Sequence, residues 1–200
     1  MIRNIVFDLM GVLILFDSAS YRDSFQLNLF DMPSLIRMLR SEEWRFCDLG
    51  VHDGIREILP EIADKYRASE RVIKALNAPS DMLYKRIDDM ADYLLSLKER
   101  GYHIYLLSNV SAQVIRELAF MDIFHAADGA LYSYEEGIMK PDQRIFEDFL
   151  KRYALKAEEC LFIDDSRRNT AAAVSVGLEA IHHKKTAETI RQTEILLKKQ

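Results

Sequence analysis

Four short segments of this chain carry side chains suited to chemistry. Asp8 closes the apolar run of NIVFDLMGVLI, and Gly11 follows three residues later. Ser108 and Asn109 stand at the end of YLLSNV, Lys140 precedes Pro141 in GIMKPD, and Asp164 and Asp165 close the apolar start of LFIDDSRRN. Each has an ordinary explanation when taken singly. Asp8 can cap a turn, Ser-Asn is common turn chemistry, and a lysine before a proline is usually a solvated loop residue. The adjacent carboxylates are hardest to dismiss, because two acids ending a buried strand repel each other and ask for a cation. An aspartate directly after Ile5-Val6-Phe7 is likewise costly to desolvate unless it is paired. Together the four segments describe one site better than four accidents.

The elements that position these groups follow from hydrophobic patterning. Ile5 to Phe7, His103 to Leu107, Gly129 to Tyr132, Cys160 to Ile163 and Leu178 to His182 are short, β-rich and not cleanly alternating. That pattern suits strands of a parallel sheet buried on both faces. Helical patterns lie between them: Ile87 to Arg100, stopped by Gly101; Ala112 to Ala119, capped by Ser111; Gln143 to Tyr153, capped by Asp142; and Asn169 to Val176. Alternating strand and helix predicts an α/β, Rossmann-like parallel sheet core with helices on both faces. Asp8, Ser108, Asn109, Lys140, Asp164 and Asp165 then all gather at the carboxyl ends of strands, where open α/β sheets bind ligands.

The stretch after the first strand reads differently. Tyr21 to Phe30, Ser34 to Arg40, Asp53 to Lys65 and Ser69 to Leu76 have helical patterns, with almost no strand signal. The expectation is a core domain of residues 1–14 and 81–200 with a small α-helical cap domain, 15–80, inserted after the first strand. A cap at that point would sit over the strand ends and exclude water.

Composition narrows the setting. The 200 residues carry 49% hydrophobic content and a formal net charge of −5, which gives no electrostatic case for nucleic acid or an anionic membrane as partner. Cys47 and Cys160 are too few for a disulfide framework and read as reduced thiols. The first apolar run does not read as a signal peptide, and no apolar stretch approaches the roughly 18 residues of a membrane span. A cytoplasmic chain is expected. His182-His183 follows the fifth strand; adjacent strand-end residues face opposite ways, so a solvated edge is expected there rather than a metal site. Trp44, Phe46 and Tyr66 are expected in the core of the helical insert. The run from Thr186 to the end reads as a closing amphipathic helix with lysines favouring its terminus.

With FDLMGV, LLSNV, the lysine of GIMKPDQRIF, and FIDDSRRN in order, the chain resembles the haloacid dehalogenase superfamily. The insert segment EEWRFCDLGVHDGIREIL is similar to the small helical cap of a subgroup containing sugar-phosphate phosphatases such as the glucose-1-phosphate phosphatases. The resemblance implies a Mg²⁺-dependent phosphatase acting on a small phosphorylated metabolite. Asp8 would be the nucleophile that forms an aspartyl-phosphate. Lys140 would offset negative charge. Ser108, Asn109, Lys140 and the main chain near Gly11 would bind phosphate. Asp8, Asp164 and the backbone carbonyl of Met10 would hold the ion, with Asp165 holding a metal-bound water or Lys140.

Met10 is the departure. Most phosphatases of the superfamily carry a second aspartate two residues past the nucleophile, as acid and base for the two steps, although the resembled subgroup often has glycine. Losing a positioned acid–base group typically costs about 10² to 10⁴ in rate. Three readings follow. The first is a phosphatase whose proton comes from water, the substrate or a cap residue, with His52 and Asp53 the ones to inspect, though both read better as helix-start residues and Asp53 as a cap. The second is a dehalogenase, which attacks carbon without a metal and which Asp164-Asp165 argues against. The third is a fold retained for binding alone.

Overall fold

Strand β1, Asn4–Phe7, is the centre of the molecule, and all four of its residues are buried. In a computed structural model that describes residues 1–198, it pairs in parallel with β4 (His103–Ser108) on one side and β6 (Cys160–Asp164) on the other. The edges are β5 (Gly129–Tyr132) and β7 (Glu179–His182), giving the order β5-β4-β1-β6-β7. Alternate side chains leave the sheet on opposite faces. Ile5, Phe7, Leu106 and Ile163 join one buried cluster with Met90, Leu94 and Leu97 of helix Asp88–Glu99. Val6, Tyr105, Leu107 and Phe162 join another with Ile145, Phe146 and Phe149 of helix Gln143–Arg152. This is the α/β sheet with helices on both faces that the patterning predicts.

The chain leaves β1 through a tight turn at Leu9 to Leu13 and returns to it after a helical insert. Two further strands, β2 (Ile14–Phe16) and β3 (Tyr84–Arg86), pair antiparallel at the foot of that insert. No strand was expected there, because three residues are too short to show a period and Ile14–Phe16 reads as a continuation of one apolar run. Between them lie helices Ser18–Ser24, Met32–Leu39, Glu42–Asp48, Ile55–Lys65, Glu70–Leu76 and Ser80–Leu83. They bury Tyr21, Leu35, Met38, Ile58, Ile62, Val72 and Leu76 in a cluster of their own, with Trp44 and Tyr66 packed against it.

Several local expectations are corrected. The helix expected over Tyr21 to Phe30 stops at Ser24, since Gln26 takes a left-handed φ of 52°, and Phe30 is exposed beyond it. The cap of Ile55–Lys65 is Gly54 and not Asp53, whose carboxylate turns instead to Arg116. His183 is buried and its Nδ1 meets Thr189 Oγ1 at 2.9 Å, so the expected solvated edge is half closed by the last helix, Thr186–Lys198. Ser111 precedes Ala112–Leu118 without a side-chain cap bond, whereas Asp142 accepts from the Arg144 N–H as expected. Lys199, part of the expected basic terminus, lies outside the described residues. Among those described, no helix is long and apolar enough to cross a membrane, and both cysteines are free and buried.

Candidate active site

The parallel register places the ends of β1, β4 and β6 side by side, and the polar side chains there meet. Asp8 Oδ1 accepts three donors: its neighbour's N–H at Leu9 (2.7 Å), the Ser108 hydroxyl (2.7 Å) and Lys140 Nζ (2.9 Å). Its second oxygen, Oδ2, has no hydrogen-bond partner among the described residues. The two oxygens of the carboxylate are thus held unequally.

Lys140 bridges the two strand tips. Besides Asp8, its ammonium donates to Asp164 Oδ2 and to the Leu107 carbonyl, each at 2.7 Å, and it lies 5.2 Å from the centre of the Phe162 ring. The side chain is buried, and its main chain is clamped as well. Asn109 forms that clamp: Asn109 Oδ1 accepts from the Lys140 N–H at 2.8 Å, and Nδ2 donates to the Lys140 carbonyl at 2.9 Å. Asn109, expected at the phosphate, has its amide engaged in positioning the lysine. The Ser108 hydroxyl is buried against Asp8. The Gly11 N–H donates to the Ile14 carbonyl at 2.8 Å, within its own turn.

Asp164 is fully buried and densely hydrogen-bonded. Its Oδ1 accepts from the Ser166 N–H at 2.7 Å, and both oxygens accept from Asn169 Nδ2 at 3.0 Å. Sequence reasoning missed Asn169. The signal available was its spacing, five residues past Asp164, which returns a helix starting at Arg167 to the strand end after little more than a turn. Asp165 is exposed, and its backbone carbonyl contacts His182 Nε2 at 2.9 Å. Gly11, at φ +77°, lies against it: a Cβ there would stand 2.5 Å from Asp165 Oδ2. Only glycine leaves that space open.

The electrostatics are those of a charge surplus. Burial pushes the Asp8 carboxyl above its usual range, with Asp164 pushing the same way and Lys140 opposing. Burial also opposes ionisation of Asp164, but Lys140, the Ser166 N–H and Asn169 hold it below the ordinary value. Asp165, though its side chain reaches solvent, is raised by partial desolvation beside the cluster and by the charge of Asp164. One oxygen from each of Asp8, Asp164 and Asp165 lies within 4.8 Å of the others. Three carboxylates facing one ammonium leave two negative charges unbalanced, which is what a divalent ion supplies. The donors are hard oxygens, the set magnesium prefers. The Met10 carbonyl accepts no hydrogen bond among the described residues, and the residues present fit the ion.

His52 and Asp53 are engaged elsewhere. His52 Nδ1 meets Glu57 Oε1 at 3.1 Å, and Asp53 forms a bidentate pair with Arg116. Neither supplies the carboxylate that Met10 lacks.

A parallel five-stranded α/β sheet with an aspartate, a serine, a lysine and an acidic pair at its strand tips defines a hydrolase class. The chain belongs to the haloacid dehalogenase-like hydrolases, whose sequence profile matches residues 2–177. It is 25% identical over 210 aligned residues to D-ribitol-5-phosphate phosphatase of Bacteroides thetaiotaomicron, covering 98% of this chain and 99% of that protein. It is 35% identical over 97 residues to the sesquiterpene phosphatase astK of Aspergillus oryzae, a match to 46% of this chain that spans only 48% of that protein. Among solved structures, a predicted family hydrolase from Porphyromonas gingivalis superposes with TM-score 0.73 at 27% identity, over 96% of this chain and 98% of that one. A family enzyme from Bacteroides thetaiotaomicron in complex with magnesium and inorganic phosphate shares the fold, with TM-score 0.72 at 23% identity over 92% and 95% of the two chains.

Proposed function

We propose that this protein is a Mg²⁺-dependent phosphatase of a small phosphorylated metabolite, working through an aspartyl-phosphate on Asp8. The observation that carries this reading is the asymmetry of Asp8: three donors on Oδ1, none on Oδ2, beside two further carboxylates. A free, oriented carboxylate oxygen is what an in-line attack on phosphorus needs. Asp8, Asp164 and the Met10 carbonyl would hold magnesium, with Asp165 orienting its water. The bound ion would screen the phosphate from the carboxylates and draw charge from a phosphoryl oxygen.

Asp8 Oδ2 forms a bond to phosphorus while the bond to the ester oxygen breaks, and that oxygen leaves with the electron pair. Water then attacks the phosphorus, the bond from phosphorus to Asp8 Oδ2 breaks with its electron pair returning to the carboxylate, and the water's proton passes to the released phosphate or to solvent. With Met10 in place of an acid, the leaving oxygen takes its proton from water or from the substrate itself, so good leaving groups are favoured. Lys140 stays fixed throughout as counter-charge to Asp8 and Asp164. Residues 15–80 serve as a cap on a core of 1–14 and 81–200. Support for the cap comes from the insert's separate hydrophobic cluster and from Arg45 and Leu49, which share a cleft with Lys140. The two free, buried thiols suit a cytoplasmic setting.

The test is a panel of phosphate esters assayed with Mg²⁺ or with chelator, using Asp8→Asn as blank. Magnesium-dependent release of phosphate that disappears in the blank is expected. Turnover of 2-chloropropionate that survives chelation would establish the dehalogenase reading instead. An inert wild type, matched by its blank on every ester, would leave only a binding protein.

A further inference from the structure

A cleft of about 510 Å³ is lined in part by Lys140, whose ammonium meets Asp8 and Asp164, and its walls come from three separate parts of the chain. Arg45 reaches it from helix Glu42–Asp48 of the insert, and Arg168 from the helix that follows the acidic pair. Leu49, just past that first helix, and the segment from Gly137 to Arg144, which includes Lys140, supply the rest. The volume falls within the range of small-molecule sites and is far larger than one phosphoryl group needs.

The charges in this cleft do not cancel. Asp142 and Arg144 neutralise each other, with Arg144 Nη2 at 2.7 Å from Asp142 Oδ2. Lys140 is matched by Asp8 and Asp164. The side chains of Arg45 and Arg168 form no hydrogen bond or ion pair among the described residues, although the chain as a whole carries a net charge of −5. Exposed arginines are ordinary on a surface. Two whose side chains lack partners, rise from different elements and line one cleft with Lys140 present an anion with two sets of donors. Their two unit charges match a phosphate dianion, and guanidinium forks fit phosphate oxygens in pairs.

We propose that this cleft holds a second phosphate group, so that the substrate is a small bisphosphorylated metabolite anchored by Arg45 and Arg168 while its other phosphate is cleaved at Asp8. The inference rests on the phosphatase reading for the cleaved phosphate and adds the substrate class. It also gives the insert a definite part: Arg45 can grip the substrate only while the insert stands against the core.

Binding to the Asp8→Asn protein in the presence of Mg²⁺ tests this apart from turnover. Fructose 1-phosphate and fructose 1,6-bisphosphate, which share the same C1 ester, serve as probes in calorimetry. The bisphosphate should bind about tenfold tighter, and Arg45→Gln or Arg168→Gln should each remove most of that advantage while changing fructose 1-phosphate affinity by less than about twofold. Equal affinity for the two sugars would overturn the proposal, as would arginine variants that weaken both alike. Arginine-dependent capture of orthophosphate with no preference for the bisphosphate would also overturn it, assigning the cleft to the free ion. Both arginines are exposed, and a thermal melt of each variant checks that the fold is intact. Hydrolysis of p-nitrophenyl phosphate by the unaltered chain reads the catalytic proposal separately. Turnover without a bisphosphate preference removes only the second-phosphate assignment. Arginine-dependent bisphosphate binding without turnover keeps the subsite and removes the phosphatase.

Discussion

Asp8 and Met10 divide the chemistry of the first strand tip between a group held ready and a group missing. An aryl phosphate leaves without protonation, whereas an alkyl phosphate needs help at its oxygen. Met10→Asp should therefore raise kcat/KM for alkyl phosphates by about 10² or more and change p-nitrophenyl phosphate turnover far less. Equal responses, or none, would sink the missing-acid account. Met10 is half-buried against the core, so a melt should accompany the assay. Gly11 allows a second residue-scale prediction. Gly11→Ala forces a side chain into a left-handed turn, at a cost of about 1–2 kcal/mol, and into the Asp165 carboxylate 2.5 Å away. Activity should fall by much more than the loss of stability accounts for. A variant that melts lower but keeps its full rate per folded molecule would show that Asp165 tolerates displacement.

The elements meet along a seam where the insert touches helix Ala112–Leu118. Glu117 is the hub: its carboxylate accepts from Arg56 at 2.6 and 3.0 Å and from both the N–H and the hydroxyl of Ser80 at 2.7 Å. Burial opposes its ionisation, but the Ser80 and Arg56 contacts outweigh that and hold its pKa below the ordinary glutamate value. A carboxylate depressed in the folded state contributes stability above its unfolded pKa, and that contribution fades as pH falls through the folded value. Glu117→Ala should cost about 2 kcal/mol at pH 7 in urea unfolding, with the gap to wild type closing below about pH 4. A gap of the same size at pH 3 would mean that packing, not charge, holds the seam.

This seam also shows where the sequence is mute. The tips of β1 and β6 were readable because an acid after a buried apolar run is locally anomalous. Glu117 and Arg56 are ordinary helix-surface residues, and Asp53 an ordinary loop residue, until distant chain segments meet them. Asn169 sits in an alanine-rich helix with nothing local to mark it. Ser108 was correctly placed at a strand tip, but the direction of its hydroxyl depends on Asp8, a hundred residues away. The five strands of the main sheet and its longer helices were legible, whereas three-residue strands and side-chain partners were not.

At the scale of the whole molecule, the acidic cluster links ligand binding to folding. Three carboxylates on one lysine repel each other in the metal-free protein, so Asp165→Asn should melt at or above wild type in chelator. Magnesium at about 100 times its dissociation constant should add about 2.7 kcal/mol to wild-type stability. The increment should largely vanish in Asp164→Asn, as read by melts with and without the ion. A wild type indifferent to Mg²⁺ would leave the surplus charge to some other partner.

The β2–β3 ribbon sets Phe16 opposite Tyr84 at the two points where the chain enters and leaves the insert. Those two residues already stand as the last pair of a hairpin whose loop happens to be 67 residues long, Asp17 to Leu83. Replacing that loop with Asn-Gly would close the same pair by a two-residue turn. The shortened protein should still unfold in a single cooperative step, with the sheet's clusters intact. Failure to fold would mean that the helices act as a keystone rather than a removable lobe. If it folds, the ribbon is a socket into which lineages can exchange one lobe for another without rebuilding the catalytic floor.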